Sequence, residues 1–284
     1  IALRWGFAER ARLLIEHGVD INTPDNNSYP TFTEGFTPYQ SALMRGLPEI
    51  ADLIKAKGGD ARPLPERAQF YAACMSGDEE TAQRLKPDHM GHSLETEAEL
   101  LREAAGNGQL EAVRTMVALG FELSPTGGQT PLHAAAWRGQ TEAIKLLLAA
   151  GADAKLRDPE HHSPPLGHAF YAQQQAVIEI LKEAEMDIFT AASVGNTSQI
   201  EARLADDPKW LNARFEDVLQ PCSAPCDSTW VTPIWRAAMS DQWNAVKHLL
   251  ERGADTSQRD PNGRALMDLA KASGQIQLIE LLTV

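Results

Sequence analysis

The sequence predicts an all-α fold built from repeated helix-turn-helix units, and three observations predict it. The stretch from Gly127 to Asp158 encodes two short helices, a tight turn and a polar loop. The same pattern recurs in register along the chain. The composition, with 43% hydrophobic but only 6% aromatic residues, is typical of helix pairs that pack through Ala, Leu and Ile.

The central unit reads GGQTPLHAAAWRGQTEAIKLLLAAGADAKLRD. Thr130 is a good helix N-cap, and Pro131 suits the first helical position because no amide donor is needed there. Gly139 can end this first helix in a left-handed conformation. A second helix is predicted from near Thr141 to just before Gly151, where a turn-like polar loop begins. The unit is therefore a helix, a tight turn, a second helix and a projecting loop.

Further copies of this unit are expected, because two short helices cannot bury their own apolar faces. The turn positions that align with Gly139 are Gly6, Gly46, Gly77, Gly108, Gly195, Asp241 and Gly274. The positions equivalent to Thr130, including one found by matching second helices, are Thr37, Ala68, Glu99, Ser163, Met186, Thr232 and Ala265. The successive intervals from Thr37 to Ala265, with Thr130 included, are 31, 31, 31, 33, 23, 46 and 33 residues. The shortest and the longest interval together span about two ordinary repeats.

The repeat resembles the ankyrin repeat, which is about 33 residues long and carries a TPLHxA signature. Residues 130–135 match the signature outright, and its Thr-Pro pair recurs at Thr37 and Thr232. The Gly-Ala-Asp loop ending of the family is kept or nearly kept at residues 18–20, 151–153 and 253–255. The resemblance covers essentially all 284 residues. It implies an all-α ankyrin-repeat solenoid of about nine helix-turn-helix repeats with short projecting loops.

A single domain over residues 1–284 is expected, because each repeat of a solenoid contacts only its neighbours. Ile1 falls inside a first helix that lacks its cap, so the first repeat is expected to be truncated and the natural protein to extend upstream. Long inserted loops interrupt the period near residues 23–34 and 213–231. Both loops contain aromatic residues. They are expected either to line the sides of the concave face of the solenoid or to be insertions, which loop tips tolerate.

Charge and composition restrict the partners. The formal net charge of -13 argues against binding nucleic acid, which needs clustered Lys and Arg. A partner protein with an apolar or basic surface is expected instead. No run approaches the roughly 18 apolar residues of a membrane span, so no membrane partner is expected. Three cysteines do not make a disulfide framework, which predicts a reducing, cytoplasmic compartment.

The cysteines differ in position. Cys74 lies in a first helix at the position equivalent to Ala136, so it is predicted to be a small core residue. Cys222 and Cys226 flank Ser-Ala-Pro in the second inserted loop. Two unconnected thiols are the favoured interpretation, while a local disulfide or half of a zinc site stay open. Zinc would need two more ligands, and no second CxxC or HxxxH pattern lies nearby, so neither a metal nor a cofactor is expected.

The resemblance implies that the first helix of every repeat lines a concave face, where the equivalents of Ala134, Trp137 and Arg138 should point. The candidate binding residues are Met44, Arg45, Met75, Trp137, Arg138, Phe170, Tyr171, Arg236 and Met239. Met, aromatic residues and Arg are enriched in interface cores, which predicts a module that binds another protein. The competing interpretation is that some of these residues pack on the next repeat, since Met also fills core gaps.

The alternative function is a small-molecule binder or enzyme whose pocket lies in the concave groove under the two inserted loops. Its weak catalytic candidates are Glu103 and His168. They lie two repeats apart, so roughly 16 to 20 Å is expected between them, against the roughly 3 Å that proton transfer needs. His133 is discounted, because this histidine recurs across the family as a structural hydrogen-bonding residue. Protein binding is therefore predicted over catalysis. A third possibility, a mere spacer between other domains, would instead have a polar, featureless groove.

Overall fold

The computed structural model describes residues 8–24, 35–86, 94–125, 128–218 and 230–283. Over these residues the chain forms helices joined by turns and loops, with an isolated β-bridge between Arg259 and Ala265. The chain divides into two compact units. Unit 1 comprises Ile1–Leu156 and Pro165–Ile180, and unit 2 comprises Arg157–Pro164 and Leu181–Val284.

Unit 1 contains helix pairs in chain order. Its helices are α1 (Ala8–Glu16), α2 (Pro38–Met44), α3 (Pro48–Ala56), α4 (Glu66–Ser76), α5 (Glu79–Leu85), α6 (Leu94–Asn107), α7 (Leu110–Ala118), α8 (Pro131–Trp137), α9 (Thr141–Ala149), α10 (Pro165–Tyr171) and, except for its last residue, α11 (Gln175–Leu181). The first helices α2, α4, α6 and α8 each pack on their own second helix. First helices also pack on one another along the series α2, α4, α6, α8 and α10.

Unit 2 repeats this arrangement with an insertion. Its helices are α12 (Ile188–Val194), α13 (Thr197–Asp206), a 3-10 helix (Pro208–Asn212), α14 (Phe215–Val218), α15 (Pro233–Met239), α16 (Trp243–Glu251), α17 (Leu266–Ser273) and α18 (Ile276–Thr283). The first helices α12 and α15 pack together, and so do the second helices α13, α16 and α18. The predicted all-α repeat architecture is confirmed, while the number of about nine repeats stays a prediction.

The start of α8 follows from local chemistry. Thr130 is its N-cap and accepts a hydrogen bond from the backbone N–H of His133 at 3.4 Å, with Pro131 in the first turn. In return, Nδ1 of His133 accepts from the backbone N–H of Thr130 at 3.1 Å. Two of the amide donors at this helix end are thereby satisfied. The predicted structural role of His133 is confirmed.

The turns between paired helices also follow the prediction. Positive φ angles occur at Gly46, Gly77, Gly108, Gly139, Gly195, Asp241 and Gly274, which are the aligned turn positions within the described residues, while Gly6 lies outside them. Gly139 shows why glycine suits such a turn. Its φ is +73°, and a Cβ added there would lie 2.3 Å from Oε1 of Gln174 in the next repeat.

Helix starts depart from the alignment in three units that lack a Thr-Pro pair. The alignment placed the equivalents of Thr130 at Ala68, Glu99 and Met186, whereas α4 begins at Glu66 and α6 at Leu94. For α12 the cap is Asp187, whose carboxylate accepts from the N–H groups of Phe189 and Thr190 at 2.9 Å each. The physical reason is that a helix begins where its own sequence offers a cap, so a strict repeat period misplaces these ends.

The core contains many small and branched apolar side chains, together with buried aromatic residues such as Phe70, Phe189 and Trp235. In the repeat that contains α8 and α9, the fully buried residues include Leu132, Ala135, Ala136, Ile144 and Leu147. Cys74 is buried with a free thiol, as predicted, and burial raises its pKa to about 12. None of the described helices is both long and apolar enough to cross a membrane.

Several predictions concern positions that lie outside the described residues. These are the truncated start before Ala8, most of the inserted loops at residues 25–34 and 219–229, and the pair Cys222 and Cys226.

Candidate functional site

Three aromatic side chains lie exposed at the ends of two neighbouring first helices in unit 1. Trp137 ends α8 and is 46% exposed, while Phe170 and Tyr171 end α10 and are 45% and 81% exposed. We call these three residues the aromatic patch. The rings of Trp137 and Tyr171 are stacked, with centroids 5.4 Å apart and an interplanar angle of 19°. The predicted exposure of all three residues is confirmed.

Two buried histidines lie behind the aromatic patch. The His168 ring meets the Trp137 ring edge-on at 6.0 Å between centroids, and it meets the His133 ring in the same way at 4.8 Å. Both histidines are buried. Because His133 accepts at Nδ1, its neutral form carries the proton on Nε2. His168 is buried beneath the patch, so this weak catalytic candidate does not offer an exposed imidazole.

A polar cluster borders the aromatic patch on the side of α6. Arg138, the residue after Trp137, donates from its guanidinium to Oδ1 of Asn107. On the same face the guanidinium of Arg45 forms a buried ion pair with the carboxylate of Glu103. Burial raises the pKa of Glu103 in spite of the neighbouring Arg45. Burial also lowers the pKa of Arg138, and Arg102 adds to that effect while Glu103 opposes it.

Four predicted positions on this face are corrected. Met44 and Met75, predicted to be exposed, are buried, and so is Arg45. Glu103 is held in the ion pair with Arg45 rather than offered to solvent. The reason is the close approach of α2 and α4, since a Cβ added to Gly46 would lie 2.0 Å from the carbonyl oxygen of Met75. Helices this close enclose the side chains between them.

The corresponding face of unit 2 has a smaller exposed surface. Met239, the last residue of α15, is 51% exposed as predicted, and Arg236 is partly exposed. Trp235 is buried, and its ring meets that of Trp230 edge-on at 4.8 Å. In the alignment of α15 with α8, Met239 takes the position of Trp137, and Arg236 takes the position of Ala134.

The described ends of the second inserted loop are joined to each other. The backbone N–H of Phe215 donates to the carbonyl of Val231 at 2.9 Å, and the Phe215 ring packs edge-on against Phe189 at 5.2 Å. The guanidinium of Arg157 lies over the Phe215 ring at 4.9 Å from its centroid. The two described ends of the insertion are therefore held next to each other by this hydrogen bond.

Arg157 belongs to a buried network that the sequence did not indicate. Its guanidinium donates to Oδ2 of Asp187 at 2.7 Å, to Oγ1 of Thr190 at 2.8 Å and to the carbonyl of His162 at 2.8 Å. Nearby Arg157 and the Thr190 hydrogen bonds hold the pKa of Asp187 below its ordinary value, although burial acts in the opposite direction. The cap at Asp187 could have been found from its residue type, but its cation lies 30 residues away in sequence.

The comparisons with known proteins agree with this architecture. Residues 70–158 and 101–192 match the family model described as ankyrin repeats (3 copies). Palmitoyltransferase AKR1 of Lachancea kluyveri is 24% identical over 230 residues, which cover 76% of this chain. The aligned part is 30% of that relative, so the chain spans less than a third of its length. Together with the confirmed helix-turn-helix repeats, the family match shows that residues 70–192 form ankyrin repeats.

Proposed function

We propose that this chain is a binding module that holds another protein on the face formed by its first helices. The observation that carries the proposal is the aromatic patch, in which Trp137, Phe170 and Tyr171 are exposed side by side on α8 and α10. Aromatic side chains of this kind dominate the energetics of protein interfaces. Ankyrin repeats support such a role in general, and the aromatic patch supports its location in this chain.

The exposed area of the patch is large enough to form the centre of an interface. Full burial of an aromatic side chain removes about 150 to 250 Å² from water, so the exposed fractions leave about 350 Å² to be covered. At about 25 cal/mol per Å², covering it would contribute up to about 9 kcal/mol before the cost of association is subtracted. The stacking of Trp137 on Tyr171 restrains both rings before binding, which lowers the entropy lost.

The partner is proposed to be a protein rather than a nucleic acid, in keeping with the net charge of -13. The name of the relative describes a palmitoyltransferase, and less than a third of that relative aligns with this chain. Its activity is therefore not carried over. The single domain over residues 1–284, the cytoplasmic location and the expected lack of a metal or cofactor stay predictions.

The alternative of a covered pocket has less support among the described residues. Its two walls would be formed at residues 25–34 and 219–229, which lie outside them. Of its weak catalytic candidates, Glu103 is paired with Arg45 and His168 is buried against His133. Neither offers an accessible titratable group, so we favour protein binding.

Substitutions on the aromatic patch test the proposal. Tyr171→Glu should leave folding intact, because this position is 81% exposed and the new charge stays in water. In the complex the same charge would be buried without a partner, which should weaken binding by about 2 to 4 kcal/mol, or roughly 30-fold to 1,000-fold. Trp137→Glu should also abolish capture, with a modest fall in melting temperature because half of this ring is covered in the free protein.

The matched control is Ala176→Glu, which adds the same charge at an exposed position on the second helix of the same repeat. Affinity purification with quantitative mass spectrometry would compare the four proteins. Partners lost from both patch variants and kept by the control are expected. Retention of every partner by Tyr171→Glu and Trp137→Glu would refute the proposed site.

A further inference from the structure

We propose that the partner protein presents an arginine to the aromatic patch, and that the guanidinium of this arginine stacks on the outer face of the Tyr171 ring. The inference rests on the proposed function and adds the chemistry of the group that is bound. It depends on the exposure of the ring, on its fixed orientation and on the charge of the chain.

The first step is the exposed face of the ring. Tyr171 is the most exposed member of the patch, at 81%, and one face of its ring is stacked on Trp137. The opposite face therefore lies in water. In the part of the chain that the structure describes, no Lys or Arg side chain lies over the Tyr171 ring. The face of an aromatic ring carries the negative part of its quadrupole, so the outer face of Tyr171 can receive a cation from a partner.

The second step is the orientation of the ring, which contacts between neighbouring repeats fix. The rings of Trp137 and Tyr171 are nearly parallel, with an interplanar angle of 19°. The side-chain amide of Gln174 donates to the carbonyl of Trp137 at 3.3 Å, which joins the turn after α10 to the end of α8. The outer face of Tyr171 is therefore held in place before a partner arrives, and less conformational entropy is lost on binding.

The third step is charge, which favours a cation over an anion at this position. Residues 165–180, which contain α10 and all but the last residue of α11, include Glu179 but no Lys or Arg. The net charge of the whole chain is -13, so a basic partner is attracted from a distance. A basic group is therefore the one that the chain brings to the ring.

Arginine fits this ring better than lysine or an aliphatic residue does. A guanidinium is planar, so it can lie parallel to the ring and continue the stack, and it is more weakly hydrated than an ammonium. Its N–H groups point outwards in its own plane, so they stay in water while its face is covered. An aliphatic side chain would gain only from the area that it buries, and a ring that is 81% exposed covers just one side of it.

A random peptide library displayed on phage, selected against the full chain, provides the probe. The selected peptides are measured by fluorescence anisotropy with the wild type, Tyr171→Phe and Tyr171→Leu. The first variant keeps the ring and is the matched control, whereas the second keeps an apolar side chain without an aromatic face. Both should fold with an unchanged melting temperature, because position 171 is exposed. Each peptide is also made with its arginine replaced by citrulline, which has nearly the same shape but no charge.

The proposal predicts that peptides bound more tightly by the wild type than by Tyr171→Leu contain arginine. Citrulline in its place should weaken binding to the wild type and to Tyr171→Phe by about fivefold, and should change binding to Tyr171→Leu much less. An equal loss with Tyr171→Leu would mean that the arginine is held elsewhere on this acidic chain, and would overturn the inference.

The other outcomes separate the inference from the proposed function. Peptides that depend on Tyr171 but lack arginine, or that bind equally well with citrulline, would overturn the inference and leave the proposed function standing. A selection without any peptide that depends on Tyr171 would count against both.

Discussion

Replacing Asp187 by Ala should destabilise unit 2 more than any other single cap substitution at a described helix. Asp187 caps α12 through the N–H groups of Phe189 and Thr190, and it also receives the buried guanidinium of Arg157 at 2.7 Å. Loss of an N-cap costs about 1 kcal/mol. Removal of one partner from a buried ion pair costs about 3 to 5 kcal/mol, because the other charge is left buried.

The two contributions share one side chain and do not add fully, so we expect a loss of about 3 to 5 kcal/mol for Asp187→Ala. Arg157 keeps its bonds to Thr190 and the carbonyl of His162, which limits the loss. The control is Asp78→Ala in unit 1. Asp78 caps α5 from an exposed position by accepting from the N–H of Thr81, so its loss should cost about 1 kcal/mol.

Urea unfolding followed by tryptophan fluorescence measures this difference. Four of the six tryptophans lie in unit 2, at positions 210, 230, 235 and 243, so the signal reports mainly on the affected unit. A loss for Asp187→Ala no larger than that for Asp78→Ala would refute the reasoning. It would show that the buried pair contributes nothing beyond the cap.

The pH dependence provides a second check on the same residue. The pKa of Asp187 is lowered from its ordinary value of 3.8, because Arg157 and the Thr190 hydrogen bonds favour the carboxylate more than burial disfavours it. A lowered pKa contributes stability that is present above the unfolded value and is lost as the pH falls through the folded value. The difference in the free energy of unfolding between the wild type and Asp187→Asn should therefore become smaller below about pH 4. A gap that stays constant down to pH 2 would contradict this.

Two further predictions concern Gly139 and Cys74. Gly139→Ala should cost about 1 to 2 kcal/mol for its positive φ, plus a smaller amount because the Cβ meets the side chain of Gln174. Gly151→Ala is the control, since its φ is also positive but no atom lies within 4 Å of the new Cβ; equal losses in urea melts would rule out the contact with Gln174. The Cys74 thiol should react with a maleimide only on unfolding, because it is buried and its pKa is about 12. Rapid labelling of Cys74 in the native protein would contradict the position of α4.

The parts of the fold that sequence predicted well depend on local chemistry. Thr130 and Pro131 begin α8 because a side-chain acceptor and a missing amide donor act within one turn. The left-handed turn at Gly139 has an equally local cause. The resemblance to ankyrin repeats placed Trp137 and Tyr171 on the concave face, and both side chains are exposed in the structure.

The parts that sequence missed depend on contacts between distant residues. The resemblance placed Met44 and Met75 on the same face as Trp137, but a repeat alignment does not tell how closely the next helix approaches, and both methionines are buried. That distance is set by Gly46 against the backbone at Met75. The buried ion pair of Arg45 likewise depends on a distant residue, because Glu103 lies 58 residues away in sequence.

Site-specific photocrosslinking can detect directly whether a partner protein docks on the aromatic patch. A benzoylphenylalanine placed at Tyr171 retains an exposed aromatic ring on α10, whereas the same probe at Ala176 lies on the second helix of that repeat. Both proteins would be irradiated with partners identified by affinity purification. Crosslinks to a partner are expected from position 171, and none to that partner from position 176. Crosslinks from position 176 with none from position 171 would refute docking on the patch.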